Sequence, residues 1–312
     1  MANEKSATAR YFEDFFASIK EKDNKELMIS FRGVLYPERL CSPETFEALE
    51  TMEARKDDVL VVAYPKCGTN WMLHIMNEMK AAIPSYKDLP LPSHFQMLEF
   101  GPPEKVQNMK NQPSPRIFAT HLLYDDIPKS FIQKKTKILV IFRNPKDAAV
   151  SFFHFYNKNP VLPNVASWDE FFPMFMRGEV CFKSYFDHAL AWNEHIDDEN
   201  IKIITYEDMK ENLYEEMKQI AEFYEFPLPD ETIRSLATKA TFQEMSNKSN
   251  ETHGSFAPVL FRKEMCQNIH QYCLVLSMHK FWYLVKALQP VAYGGKWRPG
   301  TKHPPGAPLQ VT

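Results

Sequence analysis

Three times along this chain a short, mainly apolar run is followed at once by a few turn or capping residues and a helix-patterned segment. That repetition restricts the fold more than any other feature. Val59 to Tyr64 is the first run, entered through Asp57 and Asp58. Its length and continuity read as a strand buried on both faces. Pro65 to Asn70 then forms a turn, and from Trp71 to Ala82 the residues Met72, Ile75, Met76 and Met79 share one helical face. Lys137 to Phe142 is the second run. Asn144 after it suits a helix cap and Pro145 a first helical position, opening a helix to about Tyr156 that buries Ala149, Val150 and Phe153. Ile201 to Thr205 is the third, followed by Tyr206-Glu207-Asp208 and a helix from about Met209 to Tyr224. The expected fold class is therefore α/β, a single domain with a central parallel sheet flanked by helices. Ligands of such sheets sit at the carboxyl ends of the strands. Lys66, Arg143 and Tyr206 each lie just past a strand end, so they are expected to share one crevice.

Composition narrows the partners. The chain has 312 residues, 44% apolar and 25% charged, enough to bury a large core. Thirty-seven basic against 40 acidic residues give a net charge of −3. No global basic field points to nucleic acid or an anionic membrane, and any phosphate site must be local. The five cysteines, at 41, 67, 181, 266 and 273, are scattered without a CxxC pair. They fit reduced thiols of the cytosol rather than a disulfide framework or a zinc site. Met1 to Glu13 is polar and carries no apolar leader core, so the sequons at Asn247 and Asn250 are read as chance matches. The longest apolar-looking stretch, Ile269 to Val291, contains His270, His279, Lys280 and Lys286, which argues against a membrane span. No HExxH or Cys/His cluster asks for a metal. From Pro290 to Thr312, nine of 23 residues are Gly or Pro, so the last twenty-odd residues are expected to be unstructured.

The first turn has its own physical logic. A helix N-terminus offers unpaired N–H groups and the positive end of a dipole. Gly68 lets the backbone approach a ligand closely, and Lys66 adds a charge at the same place. A plain strand-to-helix turn with a solvated lysine remains the bland alternative. The Walker A spacing GxxxxGK[ST] is not met, because Lys66 precedes the only glycine of the turn. A P-loop nucleotide kinase or ATPase is thus a remote alternative.

Tyr64-Pro-Lys-Cys-Gly-Thr-Asn-Trp71 resembles the YPKxGTxW loop of the cytosolic sulfotransferases. The resemblance runs from about Asp57 to Lys263. It includes Thr120-His121, Arg143 to Ser151, Tyr206 to Asn212, Thr241 to Met245, and Phe261-Arg262-Lys263. Ala119-Thr120-His121 and Tyr64-Pro-Lys-Cys67 look most like the family 6 (6B-like) branch. The resemblance implies a P-loop-like phosphosulfate-binding turn and, as co-substrate, the sulfate donor PAPS (3′-phosphoadenylyl sulfate), with no metal. By the same resemblance Lys66, Cys67, Gly68, Thr69 and Asn70 would hold the 5′-phosphosulfate, and Trp71 and Phe242 would sandwich the adenine, with Tyr206 reaching it. Arg143 and Ser151 would bind the 3′-phosphate, and Arg262 and Lys263 would close over it. Thr241, Met245 and Phe261 belong to the same donor-binding motifs.

The implied catalytic residues are Lys66, facing charge on the leaving oxygen, and His121, taking the proton of an acceptor hydroxyl. An imidazole suits that task near neutral pH. The acceptor would be a small molecule such as a phenol, hormone or xenobiotic, held among Phe95, Phe100, Phe152, Phe153 and Phe155. Where related branches carry lysine two residues before the histidine, this chain has Ala119, which is expected to alter acceptor fit or base tuning rather than donor binding. After Lys263 the family continues with glycine, a GDWK-type segment and a last helix with a dimerisation motif. Here Glu264-Met265-Cys266 follow, as abruptly as an alternative exon. The expected division is a sulfotransferase domain over 1–263 and a divergent tail over 264–312, largely unstructured after about 290. The family's homodimer contact lacks its segment, and a catalytically weak isoform that binds PAPS or its product PAP is the alternative reading.

Overall fold

The computed structural model describes residues 27–89, 96–247, 249 and 257–260. In chain order these form β1 (Met28–Phe31), β2 (Val34–Pro37), α1 (Pro43–Glu50), β3 (Val59–Ala63), α2 (Thr69–Ala81), α3 (Glu104–Lys110) and β4 (Ile117–Thr120). There follow α4 (Lys129–Gln133), β5 (Ile138–Phe142), α5 (Pro145–Lys158), α6 (Trp168–Arg177), α7 (Tyr185–Asn193) and β6 (Ile201–Thr205). The last are α8 (Tyr206–Glu211), α9 (Leu213–Tyr224), α10 (Asp230–Lys239), α11 (Phe242–Asn247) and α12 (Ala257–Leu260). Phe95, Phe261, Arg262, Lys263 and the tail from Glu264 lie outside the described residues. No helix among the described residues is long and apolar enough to cross a membrane.

The four strands β3 to β6 pair in parallel in the order β4-β3-β5-β6. Every residue of β3 and β5 is buried, as the side chains of central strands in a parallel sheet covered on both faces must be. Three strands and the helices after the first two fall where the apolar runs and caps put them. At α5, Asn144 accepts the Lys146 N–H at 3.0 Å, with Pro145 at the first position. The helix expected from Met209 to Tyr224 is instead two. Thr205 caps α8 by accepting the Asp208 N–H at 3.0 Å, so helix begins already at Tyr206. Asn212, at φ −142° and ψ 70°, breaks the run and restarts it as the cap of α9. The edge strand β4 has only four residues, too few to stand out as an apolar run. A small antiparallel hairpin of β1 and β2 turns through Arg32 and Gly33, both at positive φ, the geometry of tight hairpin turns.

A buried ion pair fixes the amino ends of β3 and β4. Arg116, 2% exposed, donates from Nε to Asp58 Oδ1 at 2.7 Å and from Nη2 to Asp58 Oδ2 at 2.5 Å. Its remaining donors reach the Met109 carbonyl at 3.1 Å and the Glu53 carbonyl at 2.9 Å. Asp58 Oδ2 also accepts the Arg55 N–H at 2.6 Å. Such a pair is costly to break one-sidedly, since the survivor is left as an uncompensated buried charge. Arg116→Ala is expected to lower the unfolding free energy by about 3–5 kcal/mol, read from urea denaturation; a loss under 1 kcal/mol would mean that water reaches Asp58 and the pair is not structural.

Candidate active site

The turn after β3 is shaped by two left-handed residues, Lys66 at φ 69° and Gly68 at φ 106°. Gly68 is also the N-cap of α2 and supplies no side-chain cap, so the first N–H groups of the helix face outward without one. A Cβ on Gly68 would lie 3.0 Å from Tyr206 Cδ2, so only glycine fits both the angle and the neighbour. The Thr69 hydroxyl is buried with no hydrogen-bond partner, and so is Arg143 Nε. Buried polar atoms are seldom left orphaned, and here both are donors at a helix N-terminus.

Two cations converge on this turn. Arg143 donates from Nη1 to the Lys66 carbonyl at 2.7 Å, and its guanidinium lies 4.3 Å over the Tyr206 ring. The Tyr185 hydroxyl holds the Arg143 backbone through the carbonyl at 2.5 Å. Lys66 Nζ sits 4.3 Å over the Phe155 ring. Burial first, and then the Arg143 charge, pull the Lys66 ammonium down to about 7. Two positive groups that destabilise each other beside orphaned donors make a site that an anion would relieve. Next to them Trp71, Tyr206 and Phe242 form one aromatic wall. Trp71 lies 5.5 Å from Tyr206 and 5.8 Å from Phe242, edge-to-face in both cases, and its indole N–H donates to the Ala240 carbonyl at 2.7 Å. Trp71 and Phe242 are inclined at 72°, so in this conformation they offer a base a corner rather than two parallel plates.

His121 stands just past the end of β4, beside the end of β3. Its Nδ1 is 2.6 Å from the Ala63 carbonyl, which requires the proton on Nδ1 and leaves the lone pair on Nε2. Burial is the main cause that lowers its pKa to about 4; the Ala63 bond opposes and the Lys66 charge adds to the effect. The ring is therefore neutral at physiological pH. Phe182 packs edge-to-face on it at 5.0 Å and Phe100 at 6.2 Å. Phe182 and the next residue, Lys183, have φ of 66° and 62°, two consecutive side chains in the left-handed region. The bend is held by Phe182 N–H to the Leu35 carbonyl at 2.9 Å and by the Tyr64 hydroxyl to the Lys183 carbonyl at 2.8 Å.

The structure thus brings Lys66, Gly68, Thr69, Trp71, Arg143, Tyr206 and Phe242 into one cluster, with His121 on the neighbouring strand end. Asn70 is half-buried in the first turn of α2 and Ser151 half-buried in the second turn of α5. Cys67 is fully buried, its sulfur 3.9 Å from the Pro65 carbonyl, which leaves only its backbone for a ligand. Met245 is in the core, and the Thr241 hydroxyl caps α11 by accepting the Glu244 N–H at 3.2 Å. Of the phenylalanines expected around an acceptor, Phe100 and Phe155 do touch His121 and Lys66. Phe152 is fully buried among Tyr64, Tyr156 and Phe171, while Phe153 is half-buried, less than its helical face led one to expect, and packs on Trp168 and Phe171. Sequence reasoning missed Phe182, whose only advance signal is a bulky residue in a strained turn, and Glu99, a lone acid ahead of Gly101.

The sulfotransferase domain model matches residues 56–272, a span that contains every one of these groups. Sulfotransferase 6B1 of Mus musculus is 53% identical over 260 residues, covering 83% of this chain and 85% of that protein. The Homo sapiens sulfotransferase 6B1 is 50% identical over the same length and with the same coverage. Among solved structures, that of mouse sulfotransferase SULT7A1 complexed with PAP is similar with a TM-score of 0.74 at 32% identity, covering 84% of this chain and 93% of that one. A turn that gathers cations and unsatisfied donors, an imidazole beside it and relatives of this extent lead to one assignment: the chain belongs to the sulfotransferase domain family.

Proposed function

We propose that this protein moves a sulfonate group from PAPS to a hydroxyl of a small-molecule acceptor, with the donor held at the turn after β3 and the acceptor beside His121. The observation that carries the reading is the orphaned pair, the Thr69 hydroxyl and Arg143 Nε, set next to an imidazole whose Nδ1 is committed to the Ala63 carbonyl. PAPS would supply an activated sulfonate on a good leaving group. Lys66, Thr69 and the first N–H groups of α2 suit its 5′-phosphosulfate, Arg143 and Ser151 its 3′-phosphate, and the Trp71, Tyr206 and Phe242 corner its adenine. His121 Nε2 takes the acceptor proton, and the Lys66 ammonium stabilises negative charge developing at the turn. Phe100, Phe155 and Phe182 give the acceptor side apolar walls. Three buried free thiols, Cys41, Cys67 and Cys181, favour a reducing cytosol as the place of action.

The reading fixes how the variants and pH profile should behave. His121→Ala should lose turnover by roughly 10²- to 10⁴-fold while PAP, at about 100 times its Kd, still stabilises the protein by about 2.7 kcal/mol. Wild-type turnover in that variant would remove His121 from the chemistry, and no thermal shift with PAP in the unmodified protein would remove the donor site. The kcat/KM for donor should fall above about 7, where Lys66 gives up its proton in the free protein, and below about 4, where His121 gains one. Both limbs lie below the ordinary values for lysine and imidazole because burial disfavours the charged forms. A profile flat from pH 6 to 9 would contradict the Lys66 assignment.

A further expectation concerns the tail. Glu264 sets a carboxylate beside Arg262 and Lys263, where the family has glycine, and like charges repel through a partly screened medium. Replacing residues 264–312 with the family ending should tighten PAP binding by calorimetry, restore a dimer by sizing and raise single-turnover sulfonation together. Equal affinity and equal rate in both forms would show that this tail closes the site as well as the family ending does.

A further inference from the structure

One fully buried carboxylate near the site takes no part in the mechanism above. Glu99 is 0% exposed and stands on the short segment that runs alongside β4. That segment is tied to the strand by Leu98 N–H to the Ala119 carbonyl at 2.8 Å and by Ala119 N–H to the Gln96 carbonyl at 2.9 Å. Glu99 Oε1 accepts the backbone N–H of His121 at 2.8 Å, and Oε2 accepts the Thr120 hydroxyl at 2.9 Å. The Thr120 oxygen in turn accepts the Leu122 N–H at 3.0 Å. Three successive residues at the exit of β4 are thereby fixed through one side chain.

The carboxylate is itself supported from behind. Lys105, 6% exposed, donates through Nζ to the carbonyls of Met97 and Phe100, on either side of Glu99. Gly101 admits the lysine stem, since a Cβ there would meet Lys105 Cδ at 3.2 Å. The Thr45 hydroxyl fixes the Gly101 carbonyl at 2.7 Å. A buried acid accompanied by a buried base, with hydrogen bonds to both oxygens, is a rigid mount rather than a solvated surface group.

We propose that Glu99 is a positioning residue for the transfer reaction: through the His121 N–H and the Thr120 hydroxyl it holds the exit of β4 so that His121 keeps Nδ1–H on the Ala63 carbonyl and Nε2 bare for the acceptor. The proposal rests on His121 being the base. Glu99 touches none of the residues assigned to the donor, so its effect belongs to turnover and not to donor affinity. Without it, two buried donors lose their acceptors, the corner relaxes, and the 2.6 Å contact that selects the tautomer is no longer enforced. Small displacements of a reacting group are costly, about 10²-fold for roughly 1 Å.

The test compares Glu99→Ala, Glu99→Gln and Thr120→Val in the full chain. Glutamine keeps an oxygen for the His121 N–H and can donate its amide N–H to the Thr120 oxygen, so it keeps both contacts while reversing the second and removing the charge. Glu99→Ala should lower single-turnover sulfonation of a phenol panel by roughly 10- to 100-fold, with Glu99→Gln restoring most of it. PAP affinity by calorimetry should stay within about twofold in all three. Thr120→Val, which removes the hydroxyl link to Glu99 together with the acceptor of the Leu122 N–H, should give an intermediate loss. The ¹⁵N shifts of the His121 ring should report the Nδ1–H tautomer in the unmodified protein and a mixture in Glu99→Ala. Retained turnover and an unchanged tautomer in folded Glu99→Ala, or a parallel loss of PAP binding, would overturn the proposal. Should Glu99→Ala fail to fold, unchanged turnover in folded Thr120→Val overturns it instead. Wild-type turnover in His121→Ala would remove the base assignment, while the ring shifts would still decide whether Glu99 governs the imidazole.

Discussion

Arg116 joins the amino ends of β3 and β4 with a guanidinium whose bonds all end inside the protein, on Asp58, Met109 and Glu53. Its position decides the register of the two strands. Val59 faces Ile117 and Val62 faces Thr120, so the strand exits arrive side by side. The next residue of β3, Ala63, then presents its carbonyl to His121. A one-residue slip would carry the imidazole away from that carbonyl and turn every side chain of the strand to the opposite face. The ion pair at one end of the sheet and the tautomer at the other are therefore consequences of a single alignment.

Burial is the second ordering principle. Lys66 and His121 are half-buried, and desolvation moves both toward their neutral forms, to about 7 and about 4. For the imidazole this is useful, because a neutral ring has a lone pair to offer. For the ammonium it is a strain that a bound anion would remove. His188, on α7 near Tyr64, follows the same rule without a role in the chemistry above: burial and the neighbouring His121 push it down to about 3. The juxtaposed charges of Lys66 and Arg143 hence oppose each other, an arrangement that favours an anionic partner over a neutral one.

Much of this was legible in the sequence because it is local. Continuous apolar runs mark β3 and β5, and an isoleucine-rich run marks β6; Asn144 and Pro145 mark the start of α5; and Lys66 with Gly68 mark the turn. The residues proposed to hold the donor lie in short motifs of the sequence, which is why Arg143, Tyr206 and Phe242 stood out there. What escaped was non-local. β4 is four residues long and owes its place to pairing with β3. Glu99 and Lys105 look like ordinary surface charges until the fold buries them opposite Thr120 and His121. Phe152 and Phe155 are indistinguishable by type, and only the rotation of α5 sends one into the core and the other under Lys66.

The two halves of the site are built on unlike foundations. The proposed donor half stands on the buried ends of the central strands, where a change of one residue disturbs the sheet. The wall opposite His121 stands on the bend at Phe182 and Lys183, two left-handed residues held by a few backbone and hydroxyl contacts. Substitutions in that bend can reshape what lies against the imidazole while leaving the phosphate-facing turn intact. On the proposed reading, a changed bend would alter which acceptor fits and leave the sulfonate donor the same.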